Sequence, residues 1–383
     1  MRQVYLDNAA TTPLHPQVKQ AIQGAMAEYA NPSSLHSLGA GVEKLLSQAR
    51  AEVAGLLKVN AANLVFTSGG TEANNMAIKG ALARSGRKGR LVTSSIEHPS
   101  VMEVYRRLES EGWDVVRIPV DDGGQVQLEA LEQALAQPTA LVSIMAVNNE
   151  TGVIQPLEKA MELIRARQPR ALVHVDAVQA PGKVEFRLAD LGVDLASVSA
   201  HKIHGPKGIG ALYLRNRDLI NPVLDGGGQE GGLRSGTENV LGIIGFGEAA
   251  RLAKDGFAQN LAHVAGLRSR FVDGMEGLSG QIVSPEDGVP HILAVSFPGF
   301  RGEVLLQALS AHNVFVSTGA ACSGKKGNLS HVAEALGLDD ESRLGLIRFS
   351  FSSMNTEEEV VYALTKMEEV LAELAFVRGR RSR

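Results

Sequence analysis

Through the first two thirds of the chain, short strand-like runs alternate with longer helix-like ones, and this alternation restricts the fold more than any other feature. Asn63-Leu64-Val65-Phe66-Thr67 precedes a helical stretch over Glu72 to Ala83, and Arg90 to Ser94 precedes another over Pro99 to Leu108. Strand, helix and strand in that order pack as parallel strands with helices on both faces, so an α/β fold with a mainly parallel sheet is expected. In an open sheet of this kind ligands bind beyond the carboxyl edge of the strands. Several runs here end in polar residues.

The 383 residues exceed what one ordinary core organises and predict a large unit with a smaller partner. Glycine is dense between Gly226 and Gly236, which marks a loop that turns tightly or approaches a ligand. The boundary is expected after it: a large domain over 15–258, and a smaller α+β C-terminal domain over 259–383 against which residues 1–14 pack. The last element reads as a helix. Thr356 caps it with Glu359 three residues on, and Val360, Leu364, Met367, Leu371 and Leu374 recur on one face.

Composition excludes several classes. Hydrophobic residues make up 44% and charged residues 21%, the balance of a soluble globular protein. No apolar run approaches the ~20 residues of a membrane helix. The N-terminus enters a strand-like stretch without the apolar segment of a secretory signal, so a cytoplasmic protein is expected. A net charge of −4 gives no general attraction to nucleic acid or anionic lipid. The basic tail, Arg378, Arg380, Arg381 and Arg383, reads as a solvated terminus. A lone cysteine, Cys322, rules out an intrachain disulfide and a cysteine-rich metal cage.

The chemistry gathers at strand ends. Val193 to Val198 leads into Ser199-Ala200-His201-Lys202, and Ala171 to Val175 ends on Asp176 with Gln179 close behind. A lysine and an aspartate at neighbouring strand ends are what pyridoxal phosphate requires: an amine for the Schiff base and an anion for the pyridine nitrogen. Asp176 alone could equally be a helix cap. Metal binding through His201 and His204 lacks a carboxylate partner motif, and no metal is expected.

Ser68-Gly69-Gly70-Thr71-Glu72 follows a strand and opens a helix, where free N–H groups suit a phosphate ester, though the same residues also make an ordinary turn. The Gly-Lys-Ser/Thr ending of a P-loop is missing. His98 precedes Pro99 and reads either as a helix cap or as an imidazole stacked on a cofactor ring. Asn149 ends another apolar run. Arg348 lies in an alternating strand, Leu346 to Phe351; it is either a surface residue or a guanidinium clamp for an amino acid's carboxylate. Cys322 stands among small polar residues without large apolar neighbours, and Lys325 and Lys326 favour its thiolate, so a nucleophile competes with core filler as its reading.

Taken together, the motifs SGGTEANN, EHPSV, VNNETG, HVDAVQ, SAHKIHGPKG, GGGQEGGLRSGTEN, STGAACS and IRFSF make the chain resemble the cysteine desulfurases of the class V aminotransferase family nearly end to end. The resemblance implies a fold-type-I pyridoxal phosphate transferase acting as a homodimer. It implies that Lys202 is the Schiff-base lysine, that Asp176 pairs with the pyridinium nitrogen, and that Gln179 and Asn149 lie near the ring hydroxyl and substrate. His98 would stack on the ring, and Thr71, Ser199 and His201 with the Gly70 backbone would hold the phosphate. Thr237 would reach the partner subunit's phosphate, Arg348 would grip the substrate, and Cys322 would carry sulfur to an acceptor such as an iron–sulfur scaffold protein.

The segment after Cys322 is long enough for the long-loop subgroup. After Arg348 the chain reads Phe349-Ser350-Phe351-Ser352-Ser353-Met354, where relatives more often have a Leu-Gly-Arg type of sequence. The expected activity is conversion of L-cysteine to L-alanine with a persulfide on Cys322. Selenocysteine lyase, or another class V aminotransferase or lyase, is the alternative.

Overall fold

The computed structural model describes residues 3–86, 89–185, 187–318 and 329–381. Its strands are β1 (Val4–Tyr5), β2 (Leu64–Thr67), β3 (Arg90–Ser94), β4 (Val115–Ile118), β5 (Thr139–Ser143), β6 (Leu172–Asp176), β7 (Leu195–Ser199), β8 (Gly210–Leu214), β9 (Gln281–Ile282), β10 (Ile292–Ser296), β11 (Val314–Phe315) and β12 (Leu346–Ser350). Its first four helices are α1 (Pro16–Ala25), α2 (Ser37–Leu57), α3 (Gly70–Ser85) and α4 (Pro99–Ser110).

The large sheet runs in the order β2-β8-β7-β6-β5-β3-β4. From β7 to β4 every pairing is parallel, as the alternation predicts. β8 is the exception, antiparallel to both β7 and β2. Only residues 200–209 separate β7 from β8, too few for the crossover that a parallel return needs. The carboxyl ends of β2, β3, β5, β6 and β7 consequently meet at one edge.

Successive residues of a strand point to opposite faces. Leu91, Leu141 and Leu195 join an apolar cluster with Ala73, Met76 and Tyr105 of α3 and α4. Their neighbours Val92, Val142 and Ala196 join another with Leu46 and Val53 of α2 and Phe246 of the helix Val240–Asp255. A sheet covered on both faces needs apolar residues at both parities, which is why these strands read as nearly unbroken hydrophobic runs.

A second cluster of strands, β12-β10-β9, is antiparallel. Its core contains Phe297, Phe349 and Phe351 with Val264 and Leu267 of the helix Phe257–Asp273. Phe271 from that helix packs against Phe349 with ring centres 4.6 Å apart and against Phe351 at 5.6 Å. The helix Glu357–Arg381 covers this sheet, and its predicted cap is present: Glu359 N donates to Thr356 Oγ1 (3.3 Å) while Thr356 N donates to Glu359 Oε2 (3.1 Å). Among the described residues no helix is long and apolar enough to cross a membrane.

The N-terminal arm ties the two sheets together. β1 pairs in parallel with β11, and Val4 and Leu6 sit in the second core. Ser350 Oγ accepts from Ala9 N at 2.8 Å, so the unusual sequence after Arg348 anchors the arm. Thr12 then reaches the large sheet, its N–H donating to His201 O at 2.9 Å.

Candidate active site

At the shared carboxyl edge lies a cavity of about 290 Å³. Gly70, Thr71, His98, Asn149, Asp176, Gln179, Ser199, His201, Lys202 and Arg348, all singled out in the sequence, line it together. Lys202, in the turn that follows β7, donates through Nζ to the carbonyls of Ala9 (2.6 Å) and Ala10 (2.8 Å). Asp176, the last residue of β6, is buried, its Oδ2 accepting from Asn74 Nδ2 at 2.8 Å and its Oδ1 from Val178 N at 3.0 Å. Both neighbours are N–H donors to its oxygens.

The β2–α3 turn forms the opposite end. Gly69 takes φ = 152°, open to glycine alone, and gives α3 no side-chain cap. The N-terminal N–H groups of a 16-residue helix therefore remain for another acceptor. A Cβ on Gly70 would stand 2.7 Å from Val178 Cγ2, so only glycine lets this backbone approach β6. Ser199 Oγ is buried here without a hydrogen-bond partner among the described residues. Burial, with Lys202 adding to it, pushes His201 down to about 4, so its ring is neutral near pH 7. Its Nδ1 lies 3.1 Å from Thr11 Oγ1, and His204 Nδ1 lies 2.9 Å from Pro13 O, which gives both rings to the arm.

For His98 both readings of the sequence hold. It caps α4, accepting at Nδ1 from Ser100 N (3.1 Å), and it lines the cavity. A backbone N–H can only donate, so the ring proton sits on Nε2. Burial lowers its pKa, Asp176 opposing and Lys202 reinforcing the shift.

The rim comes from the second sheet and the arm. Arg348 is only 3% exposed, so it is no surface residue of a half-buried strand. It donates through one amine to Asn149 O (2.8 Å) and through the other to Asp7 Oδ1 (2.8 Å), leaving Nε buried without a partner among the described residues. Beside it Glu150 accepts from Ser330 Oγ at 2.5 Å, and burial pushes this carboxyl up to about 7. His331 Nε2 lies 3.0 Å from Glu97 O. Behind His98, Glu97 is wholly buried, which raises it to about 8.

One predicted site residue lies elsewhere and one falls outside the described residues. Thr237 is exposed and is not among the residues lining this cavity. Cys322, with Lys325 and Lys326, falls outside the described residues. The flanks on either side do meet the cavity: Ser317 exchanges backbone hydrogen bonds with Arg348 (2.7 and 3.1 Å), and Ser330 lines the cavity wall. Sequence reasoning missed Asn74, Ser100, Glu150, Ser330, His331 and Asp7. Asn74 lies one helical turn after Gly70 and Ser100 two residues after His98, both inside the motifs SGGTEANN and EHPSV, and that placement was the available signal.

Comparison with known proteins agrees with this arrangement. The sequence model of the family described as aminotransferase class-V matches residues 4–362. A protein named cysteine desulfurase IscS from Vibrio vulnificus (strain YJ016) is 42% identical over 380 residues, covering 97% of this chain and 93% of its own. One of the same name from Clostridium botulinum (strain Hall) is 38% identical over 377 residues, covering 97% and 94%. A solved NifS-like protein superposes with a TM-score of 0.92 at 42% identity, covering 97% of this chain and 100% of that one. Another, described as SspA in complex with cysteine, gives 0.82 at 32% identity over 92% and 100%.

Proposed function

The chain belongs to the class V aminotransferase family, and from that premise we propose that it is a pyridoxal phosphate-dependent cysteine desulfurase. It converts L-cysteine to L-alanine and passes the sulfur, through a persulfide on Cys322, to an acceptor. The observation that carries this reading is the convergence of Lys202, Asp176 and the uncapped start of α3 in one cavity with Arg348 at its rim.

The residues fit the cofactor. The unpartnered Ser199 Oγ, the free N–H groups after Gly69 and the close approach at Gly70 suit a phosphate. Asp176 suits a protonated ring nitrogen, Lys202 a carbonyl carbon, and the neutral His98 ring a flat aromatic face. Bound there, pyridoxal phosphate supplies an aldehyde for amines and a sink for the electrons released at the substrate's α-carbon.

The chain's own residues do the rest. Arg348 takes the substrate carboxylate, with Asn149 beside it. Lys202 Nζ, steadied by the Ala9 and Ala10 carbonyls, takes the proton from the α-carbon. Cys322 as thiolate attacks the substrate sulfur, forming an S–S bond as the substrate's C–S bond breaks. The electron pair of that C–S bond stays with the carbon fragment, which gains one proton at the β-carbon and takes one back at the α-carbon from Lys202, and leaves as alanine.

A homodimer completes the reading. Tyr29, Leu35 and Leu38 are exposed at 85%, 104% and 53%, an apolar surface that a second copy would cover. Thr237, out on the glycine-rich loop, is free to serve the partner's cavity. The acceptor is taken to be a protein of the iron–sulfur scaffold kind.

Mass spectrometry after a cysteine pulse without reductant tests the sulfur route: the peptide containing Cys322 gains one sulfur atom. Cys322→Ala is expected to bind cofactor and cysteine normally and to release no alanine above background. Full activity of that variant, with a persulfide nowhere on the chain, overturns the proposal.

A further inference from the structure

Lys183 lies four residues beyond Gln179 in the turns that follow β6, is nine-tenths buried, and takes no part in the reaction described above. Its surroundings are unusual for a buried lysine. The charges that act on it are those of Lys202 and Arg348, both cationic, and it in turn depresses His201, His204 and His291. Burial first, and those cations next, bring it down to about 7. No carboxylate in the described structure forms an ion pair with it, so packing or charge balance alone would favour methionine here.

What Lys183 does touch is the side-chain oxygen of Gln179, to which its Nζ donates. Gln179 Nε2 in turn donates to Ala9 O at 2.9 Å, the carbonyl that also receives Lys202 Nζ at 2.6 Å. A side-chain amide can flip, exchanging its donor and acceptor ends. The Ala9 carbonyl can only accept, and Lys183 Nζ donates to the amide oxygen, so both contacts are met by the same orientation. An amide flipped the other way would set N–H against N–H and oxygen against oxygen.

We propose that Lys183 is a positioning residue which fixes the Gln179 amide with its N–H end on the Ala9 side, so that the second N–H of Nε2 is what Gln179 offers to the cavity it lines. This rests on the cofactor reading. An N–H donor favours the more anionic form of the group it faces, so it lowers the pH at which a bound chromophore loses its proton.

The test is a pH titration of the visible band of the holoenzyme for wild type, K183M, K183R, Q179L and the double variant K183M/Q179L. The expected result is an upward shift of the midpoint in K183M of about one pH unit, the size of one hydrogen bond to a charged group. K183R, which still donates, stays near wild type. In the Q179L background K183M adds nothing further, because its effect passes through the amide. An equal shift from K183M with and without Gln179 means that the lysine acts by its charge, and that overturns the proposal. So does a wild-type midpoint in K183M. Should K183M fail to fold, loss of the wild-type midpoint in the charge-retaining K183R overturns it equally. A wild-type protein without any visible band refutes the cofactor reading itself, a result separable from all of these.

Discussion

The floor and the rim of the cavity are built in opposite ways. The floor comes from segments that follow β2, β3, β5, β6 and β7 on one rigid sheet, and it leaves polar atoms open, among them Ser199 Oγ and Asn74 Oδ1. The rim joins the arm, residues 149–150, Ser330 and Arg348, and it closes upon itself: Arg348 already holds Asp7 and Asn149 O, and Glu150 holds Ser330. A floor with open polar atoms, Ser199 Oγ able to donate or accept and Asn74 Oδ1 able only to accept, is prepared to receive a large polar group without rearranging. If Arg348 takes the substrate carboxylate as proposed, a guanidinium already paired internally has to share or exchange Asp7. On the proposed reading, chemistry belongs to the first region and selection to the second.

That division makes the largest prediction at the floor. Asp176→Ala is expected to lower kcat by about 10²- to 10³-fold, the usual scale for removing one preorganised charge from an active site, with KM for cysteine nearly unchanged because the rim is intact. Steady-state kinetics decide it: a raised KM with normal kcat would mean that floor and rim are not separable. Arg348→Leu is the converse at the rim, a KM raised by about 10- to 100-fold through loss of charge-assisted hydrogen bonds and a kcat within a few-fold of wild type. Equal loss in both constants would make Arg348 part of the chemistry.

The smallest effect sharpens the floor. Glu97 is raised to about 8 by burial, above its ordinary 4.5, so the folded state holds a proton that the unfolded state has released between those values. Its stabilising contribution is complete below about 4.5 and is lost as pH rises through about 8. Glu97→Gln cannot ionise and should escape that loss. Its unfolding temperature relative to wild type is expected to be higher at pH 9 than at pH 6, by a few degrees on the scale that a kcal/mol commands. A constant difference across that range would show that Glu97 ionises normally in the fold.

The same contrast explains what the sequence revealed. Lys202, Asp176, Ser199, His98 and Gly70 were legible because each ends a strand or opens a helix, and a parallel sheet brings such positions to one edge whatever the details. Arg348 and Asn149 of the rim were also legible, but the rim's pairings were not, because Asp7 and Arg348 are 341 positions apart and Glu150 and Ser330 are 180 apart. No local period reports contacts of that span. Arg348 and Ser350 share one face of an alternating strand, for which a surface was one of two readings, and that face is covered by the N-terminal arm, the strand being buried throughout. The reversal of β8 was equally hidden, since its direction depends on a short connection rather than on strand composition.

The most direct measurement of the central claim is product analysis of L-cysteine turnover with a reductant present, for wild type and for Lys202→Ala. Wild type is predicted to release alanine and sulfide in equal amounts, and Lys202→Ala to lose the visible cofactor band and about 10³-fold or more of the rate. Pyruvate and ammonia in place of alanine, or a Lys202→Ala variant that keeps both its band and its rate, would contradict the account.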